Sequence, residues 1–128
     1  MNSPQKMILV IEDDDGNRQL LRELLSFQNY HVIEASSGHG ALALLEDHTI
    51  DLILMDVSLP DMSGLTVTKQ IRKKPRFSRV PIIVLTAYVR KSDQEAALAA
   101  GASSHIPKPV NIQYLLSEIQ KHLTLSAD

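Results

Sequence analysis

Acidic, hydroxyl and ammonium side chains lie at or just after the ends of short apolar runs at four separate places in the chain. They are Glu12, Asp13, Asp56, Thr86 and Lys108. Three carboxylates drawn into one crevice destabilise one another unless a cation lies between them. Oxygen ligands without His or Cys favour Mg²⁺ or Mn²⁺ over Zn²⁺, and Mg²⁺ commonly combines carboxylates with waters and a phosphate oxygen. These residue types therefore predict a divalent metal site that also handles a phosphate group.

The same set contains the parts needed to receive a phosphoryl group. Asp56 can attack as a nucleophile, the metal and Lys108 can neutralise the phosphoryl oxygens, and Thr86 can donate a hydrogen bond to one of them. Each of these residues taken alone is more often structural, so the prediction depends on their coincidence. Asp14 and Asp15 are expected at the start of a helix, near the positive end of its dipole, and not as metal ligands.

The elements that must position these residues follow from the apolar pattern. Runs at 7–11, 31–35, 52–55, 80–85 and 103–106 predict five strands, and segments with helical spacing follow each of them. Alternation of this kind predicts an α/β fold with a doubly wound, five-stranded parallel sheet, of the flavodoxin-like (βα)5 type with strand order 2-1-3-4-5. Pro107 lacks an amide hydrogen, which favours an edge position for the last strand. In this order Asp56 is central, with carboxylates on one side and Thr86 and Lys108 on the other.

Two local patterns mark the limits of the fourth helix. The segment Ser92-Asp93-Gln94-Glu95 has the form of a capping box, in which Ser92 precedes an alanine-rich helix. Gly101 follows that helix at a position where a left-handed cap is typical.

Length and composition exclude several classes of function. The chain has 128 residues, which suits one domain, and its net charge of -2 argues against direct DNA binding. There is no cysteine, and the five histidines lack paired metal-ligand spacing. The apolar runs are far shorter than the ~20 residues of a membrane span. Residues Met1 to Lys6 are polar and predict no signal peptide, so a cytoplasmic location is expected.

Four motifs resemble the receiver domain of two-component response regulators. They are Val-Ile-Glu-Asp-Asp at 10–14, Asp-Leu-Ile-Leu-Met-Asp-Val-Ser-Leu-Pro-Asp-Met-Ser-Gly at 51–64, Pro-Ile-Ile-Val-Leu-Thr-Ala at 81–87, and Lys108-Pro109. The resemblance covers about residues 6 to 124 and makes 1–128 a single receiver domain. The stretch 51–69 is also similar to single-domain cell-cycle regulators of the DivK type.

The resemblance implies a phosphoacceptor switch, not an enzyme. Asp56 would accept a phosphoryl group from phosphohistidine on a histidine kinase or phosphotransfer protein, and the domain would assist its own phosphorylation and dephosphorylation. Mg²⁺, or Mn²⁺, would be bound by Asp13, Asp56 and the backbone carbonyl of Ser58, with Glu12 holding it through water.

Further roles are implied for the residues around this site. Thr86, the backbone of Ala87 and Lys108 would contact the phosphoryl group, and the Lys108-Pro109 peptide would be cis. The position of the family's usual switch aromatic is occupied by His105, which could make the coupling to Thr86 sensitive to pH. The simpler interpretation is a half-exposed ring that fills the same space.

The resemblance also implies an output by protein contact through the fourth helix, fifth strand and fifth helix, to an output protein or to a second copy in a phosphorylation-linked dimer. Three other functions fit the sequence less well. A metal-dependent phosphatase would place its nucleophile on the first strand and carry a cap domain. A flavin-binding module would need phosphate-binding residues where Glu12 to Asp15 stand. A degenerate receiver would bind proteins without being phosphorylated.

Overall fold

The computed structural model describes residues 5–87 and 90–125. Strands and helices alternate along this part of the chain, and a short 3-10 helix at Pro75–Phe77 precedes the fourth strand. The strands are β1 (Met7–Ile11), β2 (His31–Ala35), β3 (Leu52–Asp56), β4 (Ile82–Thr86) and β5 (Ser104–Pro107). The helices are α1 (Asp15–Phe27), α2 (Gly38–Leu45), α3 (Gly64–Arg72), α4 (Lys91–Ala100) and α5 (Ile112–Leu125). Residues 1–4 of the polar opening segment lie outside the described residues.

All five strands are parallel and form one sheet in the order β2-β1-β3-β4-β5. The predicted doubly wound, flavodoxin-like fold and its strand order are therefore confirmed. In the register, Asp56 pairs with Leu85, and Thr86 pairs with Pro107. Because parallel strands all run the same way, their carboxyl ends meet at one edge of the sheet. Pro107 lies in the edge strand β5, where its missing amide hydrogen costs no ladder hydrogen bond.

Each face of the sheet is covered by helices, so both parities of the central strands are apolar. One core layer packs Leu9, Ile53 and Val84 against α2, α3 and α4, and the other packs Val10 and Leu54 against α1 and α5. Strands buried on both faces need apolar side chains at successive positions. This explains why the runs in the sequence do not alternate, and it holds the strand ends rigidly relative to one another.

The helix limits confirm two predictions and correct one. Asp14 caps α1 by accepting a hydrogen bond from the Asn17 amide at 2.8 Å, and Gly101 ends α4 in the left-handed region with φ 111°. The predicted capping box at Ser92 is wrong, because α4 begins at Lys91 and its N-cap is Arg90, without a side-chain cap. The carbonyl of Arg90 already accepts the first helical hydrogen bonds, which places Ser92 inside the helix.

The fourth strand starts later than its apolar run predicts. Pro81 cannot donate to the ladder, and β4 begins at Ile82, not at Val80. The carbonyl of Val80 instead accepts a hydrogen bond from Arg72 at 2.6 Å. Within the described ranges, every helix is too short or too polar to cross a membrane.

Candidate functional site

Glu12 and Asp13 lie where β1 passes into the loop before α1. The Glu12 amide still bonds to the carbonyl of Ala35 at 3.0 Å, which continues the β1–β2 pairing to the sheet edge. Arg18 of α1 donates to the Glu12 carbonyl at 2.9 Å and more distantly to that of Asp13. These contacts hold the loop in place, with the Glu12 side chain buried and that of Asp13 exposed.

Asp56 is the last residue of β3 and is only 3% exposed. Its Oδ1 accepts a hydrogen bond from the Ser58 amide at 3.0 Å. The loop then folds back, since the Gly64 amide donates to the Val57 carbonyl at 2.8 Å. A Cβ at Gly64 would stand 2.3 Å from the carbonyl oxygen of Asp56. Only glycine therefore allows α3 to start this close to the strand end.

One carboxylate oxygen from each of Glu12, Asp13 and Asp56 lies within 4.8 Å of the other two. Three hard oxygen donors at this separation suit Mg²⁺, which completes its octahedron with water and phosphate oxygens. The donor set contains no nitrogen or sulfur, so it does not suit zinc. The chemistry of the three residues therefore fits the predicted divalent cation.

A cation of the chain itself already lies beside two of these carboxylates. The Lys108 Nζ is 3.1 Å from the Asp56 Oδ1 and 3.7 Å from the Glu12 Oε1. The Lys108 amide also donates to the Thr86 carbonyl at 2.8 Å, which ties the ends of β4 and β5 together. The Lys108-Pro109 peptide that follows is cis.

The pKa of Glu12 is raised in this site. Burial raises the pKa of Glu12 to about 7, and a hydrogen bond with Asp56 and repulsion from it act in the same direction. The amide of Asp14 and the ammonium of Lys108 lower the pKa of Glu12 but do not outweigh these causes. Burial and the neighbouring Asp56 therefore favour the protonated form of Glu12 more than Lys108 disfavours it.

The remaining predicted residues surround this group. Thr86 ends β4 and is almost fully buried, and Ala87 follows it with an exposed position. His105 on β5 is half-buried and lines a small cavity of about 50 Å³ together with Thr86 and Gln94. Ser58 lies on the exposed loop after Asp56 and pairs with Ser63 in an isolated bridge.

Asp61, in the loop between β3 and α3, has defined partners in the structure. Its carboxylate accepts the amides of Gly38 at 2.8 Å and His39 at 2.9 Å, so it caps α2 from the β3–α3 loop. These two amides hold the pKa of Asp61 well below its usual range. The contact spans more than 20 positions of sequence, and no local pattern signals it. The contacts of Arg18 with the Glu12 and Asp13 carbonyls likewise match no pattern in the sequence.

Comparisons with known proteins agree with this geometry. Residues 8–120 match the response regulator receiver domain family. The chain is 36% identical over 118 residues to the polar-differentiation response regulator DivK of Brucella abortus, covering 92% of this chain and 96% of that protein. Its structure is similar to chemotaxis protein CheY4 of Vibrio cholerae, with a TM-score of 0.88, 29% identity, and coverage of 92% of this chain and 98% of that one.

A further similar structure is the receiver domain of a sensor histidine kinase from Pseudomonas aeruginosa. The TM-score is 0.87 and the identity 32%, with 94% of this chain and 99% of that chain covered, and a magnesium ion is coordinated in its active-site cleft. The present chain belongs to the response regulator receiver domain family, whose members are phosphoacceptor switches of two-component systems. Within that family it is DivK-like over nearly its whole length.

Proposed function

We propose that Asp56 accepts a phosphoryl group from phosphohistidine on a histidine kinase or phosphotransfer protein, with Mg²⁺ bound beside it. One observation carries the proposal: a single lysine ammonium lies 3.1 Å from a buried carboxylate at the central strand end, beside two further carboxylates. A buried, fixed carboxylate is a good nucleophile only if the charge that develops around it is neutralised. Lys108 and a divalent cation supply that charge.

The transfer is an in-line displacement at phosphorus. An Asp56 carboxylate oxygen forms the new bond, the P–N bond of the phosphohistidine breaks, and the imidazole leaves with the bonding electrons. Mg²⁺, when bound, would offset the charge of the phosphoryl oxygens. Glu12, Asp13, Asp56 and the Ser58 carbonyl would hold it, with Glu12 acting through water.

The chain's own groups would complete the phosphoryl contacts. The Lys108 ammonium can turn from the Asp56 carboxylate towards a phosphoryl oxygen, while the Thr86 hydroxyl and the Ala87 amide hydrogen-bond the others. Attack of water on phosphorus then releases phosphate and regenerates Asp56, so the same residues assist dephosphorylation.

The proposal is tested by incubating the protein with acetyl phosphate and Mg²⁺ and measuring its intact mass. We expect the mass of one phosphoryl group to be gained by the natural chain and not by Asp56→Asn. The matched control is Asp47→Asn, which removes an exposed carboxylate between α2 and the start of β3, at the opposite end of that strand from Asp56.

Equal labelling of Asp56→Asn and Asp47→Asn would contradict the assignment of the acceptor. Absence of labelling in the natural chain, with Mg²⁺ present, would instead favour a degenerate receiver that only binds proteins.

The output of the switch, on this proposal, is a contact made by the face of α4, β5 and α5. A phosphoryl group adds about -1.5 to -2 charge at Asp56, and Thr86 and Lys108 stand at the ends of β4 and β5 to respond. Leu98 of α4 and Tyr114 of α5 are exposed apolar or aromatic side chains on these helices. Such side chains suit an output protein or a second copy in a phosphorylation-linked dimer.

Chemical-shift mapping with beryllofluoride, a mimic of the acyl phosphate, tests this output. We expect shifts along α4 and around His105 as well as in the crevice. Changes confined to the neighbours of Asp56 would contradict an output through this face. Shifts are also expected at residues 88 and 89, which lie outside the described residues.

A further inference from the structure

The charges of this chain are segregated along its sequence. Residues 62–92 contain eight of the 13 Lys and Arg residues and no Asp or Glu, so all 15 acidic residues lie elsewhere. A chain with a net charge of -2 therefore carries one strongly basic segment. Charge asymmetry of this kind creates a local field that attracts an oppositely charged partner.

Six of these cations are placed at the end of α3 and in the turns that follow it. They are Lys69, Arg72, Lys73, Lys74, Arg76 and Arg79. Apart from Lys69 they lie near the amino-terminal edge of the sheet, where the Pro81 carbonyl accepts the Ile53 amide at the start of β3. Asp56 lies at the other end of β3, about 13 Å away for a strand of this length. These five cations and the phosphoryl site thus lie at opposite edges of the sheet.

Two of the six cations are used inside the fold. The Arg72 guanidinium donates to the carbonyls of Gly101 at 2.8 Å, Phe77 at 2.9 Å and Val80 at 2.6 Å. The Lys74 Nζ lies 3.1 Å from the Glu46 carboxylate. These two side chains have structural roles and are set aside.

The other four cations, Lys69, Lys73, Arg76 and Arg79, are exposed, and we call the three that lie at this edge, Lys73, Arg76 and Arg79, the basic edge. In the part of the chain that the structure describes, Lys73 and Arg79 make no side-chain hydrogen bond or ion pair. Arg76 donates to the His48 carbonyl at 3.1 Å and lies 5.1 Å from the centre of the Phe77 ring. These contacts orient its guanidinium without neutralising its charge.

The edge is concave beside two of these cations. Arg76 and Arg79 line a depression of about 480 Å³ whose other walls include the apolar residues Ile50, Val80 and Pro81. The acidic residue in its lining, Asp51, already accepts the Met7 amide at 2.7 Å through its Oδ2. A ligand that fits here combines anionic groups with a small apolar side chain.

We propose that the basic edge binds an acidic, extended segment of a partner protein, in which Asp or Glu side chains flank an apolar residue. Single-stranded nucleic acid is a poorer fit because such sites stack bases on exposed rings, whereas Phe77 is buried. A membrane surface is a poorer fit because it is flat on this scale, whereas the surface beside Arg76 and Arg79 is concave. Because Asp56 lies at the opposite edge, the partner stays bound in both phosphorylation states, and the inference does not rest on the proposed function.

The test measures fluorescence anisotropy with a labelled synthetic peptide of glutamates around one leucine, and with the same peptide carrying Gln for every Glu. The edge variant is Lys73→Gln/Arg79→Gln, at exposed positions whose side chains make no hydrogen bond or ion pair within the described residues. The matched control, Arg90→Gln/Lys91→Gln, removes the same net charge at the exposed start of α4. We expect the edge variant to bind the acidic peptide at least about ten-fold more weakly than the natural chain, and the control to change by about two-fold or less.

Equal losses in the two variants would overturn the proposal, because net charge alone would then explain binding. Equal binding of the Gln peptide would also overturn it. The basic edge is also tested with a DNA duplex and with a phosphatidylcholine vesicle containing phosphatidylserine. If one of these binds through the basic edge and the acidic peptide does not, the proposal is wrong and the surface belongs to that other class of partner. Unchanged peptide affinity in Asp56→Asn is expected, and its loss would refute the independence of the two edges.

Discussion

Substitution of Gly64 by alanine isolates the closest backbone approach in the site. The added Cβ would lie 2.3 Å from the Asp56 carbonyl oxygen and 2.8 Å from the Val57 Cα. Both of these atoms belong to the backbone, so no flexible side chain can move aside. The start of α3 and the end of β3 must separate by roughly 1 Å before ordinary contact distances are restored.

The expected magnitudes follow from that separation. Alanine in a helix gains up to about 1 kcal/mol over glycine, but overpacking against fixed atoms costs about 1–3 kcal/mol. We expect a net loss of about 1–2 kcal/mol in the free energy of unfolding. A displacement of about 1 Å at reacting groups can reduce a rate by about a hundred-fold. Labelling of Asp56 by acetyl phosphate should therefore slow far more than the stability change alone would suggest.

Gly16 supplies the matched control for this experiment. It also lies in the first turn of a helix, α1, and a Cβ there would meet only the Asp14 Oδ2, at 3.4 Å. Urea denaturation and the rate of acetyl phosphate labelling are measured for Gly64→Ala and Gly16→Ala. We expect Gly16→Ala to be as stable as the natural chain or more so, with an unchanged rate. A Gly64→Ala variant with natural stability and labelling rate would refute the close approach of α3 to the strand end.

Three further predictions concern charge. Mg²⁺ should raise the melting temperature of the natural chain by linkage and leave that of Asp13→Asn unchanged; a natural chain that does not respond to Mg²⁺ would contradict the metal site. Because two amides lower the pKa of Asp61, its stabilisation is present above its unfolded pKa of about 4 and is lost as the pH falls through the folded value. In urea denaturation, Asp61→Asn should therefore have a lower free energy of unfolding than the natural chain near neutral pH, and this difference should shrink below about pH 4. A difference independent of pH would argue against the capping contact. Without metal, Lys108→Met should lower the free energy of unfolding by about 2 kcal/mol, because Asp56 is left buried beside Glu12 without its ammonium partner. Mg²⁺ should restore part of this loss. A variant with full stability in metal-free buffer would count against the ion pair.

The arrangement of the site was predictable because it follows from strand ends. Continuous apolar runs predicted strands covered on both faces, and a parallel sheet brings the carboxyl ends of β1, β3, β4 and β5 to one edge. Glu12, Asp56 and Lys108 then had to meet, whatever their separation in sequence. The short separations of Lys108 from both carboxylates agree with that expectation.

Contacts between distant loops were not predictable from local patterns. Asp61 caps α2, which begins more than 20 positions earlier in the chain. Capping patterns in a sequence involve only the residues next to a helix, so they do not indicate this contact. A glycine such as Gly64 indicates no more than a possible helix boundary in the sequence. Its contact with the Asp56 carbonyl depends on how α3 packs against the end of β3. The capping-box pattern at Ser92 failed because the helix starts one position earlier, at Lys91, with the Arg90 carbonyl accepting its first hydrogen bonds.

The central claim is that Asp56 itself carries the phosphoryl group, and locating the label tests it most directly. Borohydride reduces an aspartyl phosphate to homoserine, which peptide mass spectrometry assigns to one position. After treatment with acetyl phosphate and Mg²⁺ followed by borohydride, the account predicts homoserine at position 56 and at no other aspartate. Homoserine at Asp13 or another aspartate, or phosphate retained on a histidine, would contradict it.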